Sequence, residues 1–104
     1  MIAPGNNRAT VSRPRPRFPL GSLYATPGAL QAMEAARQTP ADFLTRHQAG
    51  DWGGVCLEDK QANDKAVERG ERILSAYTLK TGVRIWLITE ADRAATTVLL
   101  PDEY

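Results

Sequence analysis

Few side chains in this sequence have the chemistry of a nucleophile or a base. One cysteine, Cys56, and one histidine, His47, stand nine positions apart. The reaction they could share is thiolate–imidazole catalysis, which requires contact between them and an electropositive setting for the sulfur. Without that contact, Cys56 reads as a small buried hydrophobe. His47, near Asp42 and Asp51 in sequence, reads as a helix-surface or capping histidine rather than a metal ligand. Asp51, Glu90 and Asp92 are the carboxylates available for paired acid–base work, yet each sits in a turn context. Glu90-Ala91-Asp92-Arg93 most simply satisfies backbone groups in a tight turn. The strings that mark phosphate loops, dinucleotide turns, nucleophile elbows and zinc proteases do not occur. A single cysteine also excludes an internal disulfide framework and a cysteine zinc site. The expectation is a non-enzymatic chain with no cofactor and no metal.

Binding chemistry is easier to find, and it begins with charge. Residues 1–17 carry Arg8, Arg13, Arg15 and Arg17 and no acid; the remainder carries 9 basic against 12 acidic side chains. Arg13-Pro14-Arg15-Pro16-Arg17 predicts an extended basic arm, disordered when free, because so few large apolar groups cannot offset the entropy of ordering it. Three uses are open to those arginines: a solvated flexible terminus, an arm that tracks phosphates or enters a minor groove, or a contact to an acidic surface. The 104 residues otherwise fit one domain, 18–104. That length excludes a TIM barrel, and no apolar run is long enough for a membrane helix. The single cysteine suits a reducing cytoplasm, and no signal-like apolar segment follows the N-terminus.

The elements that position these groups follow from local signals. Leu20–Tyr24 is a short, poor strand broken at Gly21. Thr26-Pro27 and Thr39-Pro40 each pair a capping hydroxyl with a proline suited to the first helical turn, and Asp42 completes an approximate capping box. Leu30, Met33 and Ala29/Ala36 line one face of the first helix; Phe43, Leu44 and His47 follow in the second, which Gly50 ends. Asp51-Trp52-Gly53-Gly54 is a loop with one large anchor. A third helix is predicted over about 58–69, with Leu57 as an entrance staple, Ala62, Ala66 and Val67 as a thin apolar stripe, and Gly70 as its stop.

Periodicity then changes. Residues 72–80, 83–89 and 95–100 are β-rich runs joined by Thr81-Gly82 and by the 90–93 turn, which predicts an antiparallel meander. The fold class expected is α+β: a three-stranded antiparallel sheet, with a four-stranded one as the alternative, and about three short helices on one face. A two-residue loop places Leu74, Ala76, Val83, Ile85, Leu87, Val98 and Leu100 on the helix face. It places Ile73, Ser75, Tyr77, Arg84, Trp86, Ile88, Thr97 and Leu99 on the other, with Tyr77 directly opposite Trp86. A one-residue bulge at Gly82 would change that register. Tyr77, Arg84 and Trp86, with Trp52 as a weaker member, are the expected protein-contact residues, since aromatic and arginine side chains anchor interfaces. Two other uses of that face stay open: burial under another segment, or stacking of unpaired bases.

Several strings of the chain resemble a family of small bacterial proteins labelled "plasmid-related" and carried on plasmids, phages and integrated elements. They are Phe18-Pro19-Leu20-Gly21, Ala25-Thr26-Pro27-Gly28-Ala29-Leu30, Asp51-Trp52-Gly53, Arg72-Ile73-Leu74-Ser75-Ala76-Tyr77, Ile85-Trp86-Leu87-Ile88-Thr89-Glu90-Ala91-Asp92-Arg93 and Thr97-Val98-Leu99-Leu100-Pro101-Asp102-Glu103-Tyr104. The resemblance covers about residues 18–104 and leaves the arginine arm outside. Some members carry the label of a type I restriction enzyme modification subunit, but this chain has neither the glycine-rich cofactor turn nor the Asn-Pro-Pro-Tyr-like string of a methyltransferase. The resemblance implies an accessory gene of mobile DNA, whose short products act by occupying a host protein, as anti-restriction and anti-CRISPR proteins do. The function expected is protein–protein binding to a host or element-encoded complex, with a homodimer possible; the alternative is a nucleic-acid accessory protein that uses Arg8, Arg13, Arg15 and Arg17.

Overall fold

The two Thr-Pro pairs start helices, as their chemistry predicts. In the computed structural model, which describes residues 15–104, α1 spans Pro27–Ala36 and α2 spans Pro40–Gln48. The Thr26 hydroxyl accepts from the Ala29 N–H at 3.1 Å, and the Asp42 carboxylate accepts from the Thr39 N–H at 3.0 Å. Each bond satisfies a donor that the helix start leaves free. A third helix, α3, spans Leu57–Arg69 and ends at Gly70 in the left-handed conformation. No helix among the described residues is long and apolar enough to cross a membrane.

The strands are β1 (Ser22–Ala25), β2 (Ile73–Thr78), β3 (Arg84–Thr89) and β4 (Ala95–Leu99), followed by a 3₁₀ turn at Pro101–Glu103. They form one sheet in the order β1-β4-β3-β2. The α+β class is therefore as expected, and β2–β3–β4 is the antiparallel meander. The sheet itself needs correction: it is four-stranded and mixed, because β1 lies parallel to β4. All three helices and two strands intervene between β1 and β4, so a long crossover sets the direction of β1, not a hairpin.

The register also differs from the two-residue-loop expectation. Leu79 N–H donates to the Val83 carbonyl at 2.8 Å and Gly82 N–H to the Leu79 carbonyl at 2.8 Å. The loop is thus the three residues Lys80-Thr81-Gly82, with Gly82 at φ +93° where a side chain would be strained. That extra residue moves β2 by one position. Ala76, not Tyr77, stands opposite Trp86, and Tyr77 pairs with Ile85. Every β2 side chain consequently changes face. Ile73, Ser75 and Tyr77 join Ile85 and Leu87 on the helix side, while Leu74 and Ala76 join Trp86 on the other.

Ala29, Met33 and Ala36 of α1 and Phe43 of α2 pack on Tyr77, Leu79, Ile85, Leu87 and Val98. A second cluster, Phe18, Trp52, Ala66 and Ile73, closes the end of the sheet nearer α3. On α3 the predicted stripe is only partly right: Ala66 is buried, Ala62 is exposed, and the buried polar residue is Asn63. Leu57 is no staple; it is the first helical residue and 69% exposed.

The outer edge of β2 is sealed by this part of the chain. The Asn63 side-chain amide donates to the Leu74 carbonyl at 2.8 Å, and Leu74 N–H donates back to its oxygen at 3.2 Å. Two residues on, Ala76 N–H donates to the Trp52 carbonyl at 3.1 Å and Gly54 N–H to the Ala76 carbonyl at 2.7 Å. At these two positions the edge is not free to template a further strand. The seal depends on Gly53, which holds φ +74° and whose added Cβ would fall 2.0 Å from the Ala76 carbonyl oxygen. Gly53→Ala is expected to lower the unfolding free energy by about 2 kcal/mol or more, read from a urea midpoint.

Candidate binding face around Trp86

On the sheet face away from α1 and α2, Trp86 is half-buried and Arg84 is exposed at the start of β3. Cross-strand neighbours of Trp86 are Ala76 and Leu99. Tyr104 meets the indole edge-on at 5.7 Å, and Arg72 lies over the Tyr104 ring at 5.4 Å and bonds its hydroxyl. Beside Trp86 lies an open hollow of about 380 Å³ lined by Val55, Asp59, Leu74, Ala76, Arg84, Trp86 and Pro101. The floor is apolar, and one acid and one base stand on its rim. Among the described residues the ion pairs are Arg17–Asp64 and Arg46–Asp51, so the Arg84 guanidinium is engaged by neither. Its Nη2 reaches the Gly54 carbonyl at 3.5 Å.

The other two expected contact residues lie elsewhere. Tyr77 is buried on the helix side, because the Gly82 loop reverses its face. Its ring packs against Phe43 at 5.2 Å with the Arg46 guanidinium 4.5 Å above it, and its hydroxyl donates to the Asp51 carbonyl at 2.5 Å. Burial pushes the phenol up to about 12. Trp52 is 4% exposed and stacks on Phe18 at 6.1 Å. Neither offers a free surface. The structure brings Arg84 and Trp86 together and adds Val55, Asp59, Pro101 and Tyr104, which no spacing argument joins to them.

Of the arm, Arg8 and Arg13 lie outside the described residues. Arg15 is exposed. Arg17 belongs to the domain: its N–H donates to the Gln48 carbonyl at 2.7 Å, and its guanidinium pairs with Asp64 at 3.2 Å and lies 5.8 Å from the Trp52 ring centre. Of the arm's arginines, Arg17 is thus bonded to α2 and α3. Asp64 also accepts from Trp52 Nε1 at 3.1 Å, and these two partners, the indole foremost, hold its carboxyl below the usual range.

His47 and Cys56 form no dyad. Cys56 is exposed at the cap of α3, against the expectation of a buried hydrophobe. His47 is fully buried, against the expectation of a surface or capping histidine, because it lies one turn beyond Phe43 on the core face of α2. Phe18 and Trp52 meet its ring edge-on at 5.2 and 5.9 Å. Its Nδ1 is 2.6 Å from Ser75 Oγ and its Nε2 is 2.8 Å from Thr89 Oγ1. Thr89 Oγ1 is in turn 2.7 Å from Thr96 Oγ1, and Thr96 donates to the Leu20 carbonyl at 2.8 Å.

The end of that chain sets the direction of the whole. A carbonyl can only accept, so the Thr96 proton is committed to Leu20, and Thr89 must donate to Thr96. Thr89 then accepts from His47 Nε2–H, which leaves Nδ1 to accept from Ser75. Neutral His47 satisfies every member. Burial, with the Arg93 charge as a smaller cause, pushes the imidazole down to about 4. With both ring nitrogens committed and no solvent access, this is a structural network.

Asp51 accepts from Arg46 Nε at 2.7 Å, which holds its carboxyl below the ordinary range. Asp92 accepts from the Ala94 N–H at 2.9 Å as a turn residue, and the Glu90 carbonyl accepts from Arg93 N–H at 2.9 Å. Among the described residues no group of three or more His, Cys, Asp or Glu side chains is placed to hold a metal ion. Comparison with protein-family models, with curated proteins and with solved structures finds no match for this chain.

Proposed function

We propose that this chain is a non-enzymatic binding protein that seats a partner protein's side chain in the hollow beside Trp86. The observation that carries the reading is an aromatic ring left half-open on an apolar floor, with an arginine free of ion pairing at its rim. Buried aromatic anchors and desolvated arginines dominate binding energy at protein interfaces, while charges at the rim fix orientation. In the mobile-element setting that the sequence resemblance implies, the partner is a cytoplasmic host defence complex or an element-encoded one, and occupation of its surface is the mode of action.

Trp86→Ala is expected to weaken partner binding by about 2 kcal/mol or more. The same change should leave a folded domain, because the ring is only half-buried and its removal opens no enclosed cavity. The test starts from tagged full-length protein captured from a bacterial host with and without nuclease. A near-stoichiometric protein that survives nuclease, and that Trp86→Ala loses without a matching loss of melting temperature, supports the reading. Loss of binding only in step with unfolding would remove Trp86 from the interface. Partners that vanish with nuclease would transfer the function to the arginine arm, with affinity falling steeply in salt.

A further inference from the structure

We infer that two copies of this chain pair through β1, joining their sheets edge to edge about a two-fold axis at Tyr24. The two edges of the sheet are treated differently by the fold. Along β2 the outward backbone groups of Leu74 and Ala76 are all taken by Asn63, Trp52 and Gly54. Along β1 the inward bonds are those of even-numbered residues: Ser22 N–H donates to the Ala94 carbonyl at 2.9 Å and Thr26 N–H to the Val98 carbonyl at 3.0 Å. Leu23 and Ala25 therefore turn their N–H and C=O groups outward, and no hydrogen bond among the described residues occupies them. The strand Ser-Leu-Tyr-Ala contains no charge, no proline and no bulge of the kind that blunts a free edge.

The occupant is specified by the strand's own symmetry. A two-fold axis perpendicular to the sheet keeps each face continuous, and it can pass through the Tyr24 pair. Leu23 then exchanges both hydrogen bonds with Ala25 of the second copy, and Ala25 with its Leu23, giving four bonds. The two Tyr24 side chains fall in the non-hydrogen-bonded position between them, where cross-strand aromatic pairs stand closest. Large faces small at the flanking positions, so Leu23 of each copy lies over Ala25 of the other. Leu23 and Ala25 share the helix side with Thr96 and Val98, and a hollow of about 230 Å³ opens there between Ala25, Pro40, Leu44 and Val98. The second copy's Leu23 enters that hollow reciprocally. Leu23 and Tyr24 are 56% and 58% exposed in the single chain, and an uncharged strand brings no like charges together when it meets itself. This inference is independent of the Trp86 reading.

Sedimentation velocity of the full chain, from micromolar to millimolar protein, tests it alongside amide exchange at Leu23 and Ala25. The expected result is a concentration-dependent dimer in which protection of those two amides rises with protein concentration. Leu23→Lys, at an exposed position, should raise the dissociation constant tenfold or more and leave the melting temperature unchanged; Tyr24→Ser gives a second, milder reading of the same contact. A monomer throughout, or a dimer indifferent to both substitutions, overturns the inference. So does protection of the Leu23 and Ala25 amides in a monomer, independent of concentration, which would assign the edge to the chain's own residues.

Discussion

Stability should fall by about 3 kcal/mol as pH drops from 6.5 to 4, through His47 alone. In the folded state burial foremost, and then the Arg93 charge, keep the imidazole neutral until about pH 4, whereas the unfolded chain takes up its proton near 6.5. Between those values the unfolded state binds the extra proton, so the contribution is whole above 6.5, declines as pH falls and is fully lost below about 4. Protonation would also turn Nδ1 from acceptor to donor and force the Ser75 hydroxyl around. The carboxylates lie on a separate, lower limb. Asp51 beside Arg46, Asp64 beside Trp52 and Arg17, and Glu103 beside Thr26 all have depressed values. Their contributions are present above the ordinary carboxylate range and go only as pH falls through the lowered folded values. Urea midpoints at a series of pH values check this, with His47→Gln as the control. The substitution should lower stability at neutral pH and flatten the profile between 6.5 and 4; an equally steep profile in the variant would show that another group titrates there.

Trp52→Ala should be the most damaging single change in the domain, at about 3–5 kcal/mol. The indole is the centre of the second cluster: Phe18 stacks on it, His47 meets its edge, Ala66 and Ile73 complete the cluster, and its Nε1–H reaches Asp64. Its backbone carbonyl also belongs to the seal on β2. For a domain of this size the loss corresponds to a melting temperature lower by roughly 15 °C or more. Trp52→Phe keeps an aromatic ring and removes the Asp64 bond, and should cost about 1–2 kcal/mol. Thermal melts of both variants check the pair. An alanine variant as stable as the parent would mean that the loop can collapse onto the vacated space.

Local signals made much of the fold legible. Thr26-Pro27, Thr39-Pro40 and Gly70 announce helix ends through chemistry confined to a few residues, and the β-rich runs after residue 72 declare a meander. What depends on parity or distance was not legible. One residue in the Lys80-Thr81-Gly82 loop decides which face Tyr77 occupies, and both loop lengths suit the same sequence. Trp86 and Arg84 remain on an open face because β3 keeps its own alternation, whereas Tyr77 moves with β2. Asn63 looks like any solvated helix residue until β2 presents an unpaired edge to it. For the buried network a signal did exist. With the Gly82 register adopted, the hydroxyls of Ser75, Thr89 and Thr96 fall on the apolar face, where a polar partner is obligatory. His47, one turn beyond Phe43, is the side chain able to meet two of them.

The parallel pairing of β1 with β4 has a consequence for the order of assembly. Thr96 reaches back to Leu20 across 76 positions, and among the described residues β1 pairs within the chain with β4 alone. The hairpins β2–β3 and β3–β4 close over short loops and can form early, whereas the first strand waits for a loop of nearly the whole domain to shut. During synthesis, α1 and α2 emerge well before the sheet on which they pack. Their apolar faces stay uncovered until residues 84–99 have been made, so the docking of this early segment onto a late one is the expected slow step of folding.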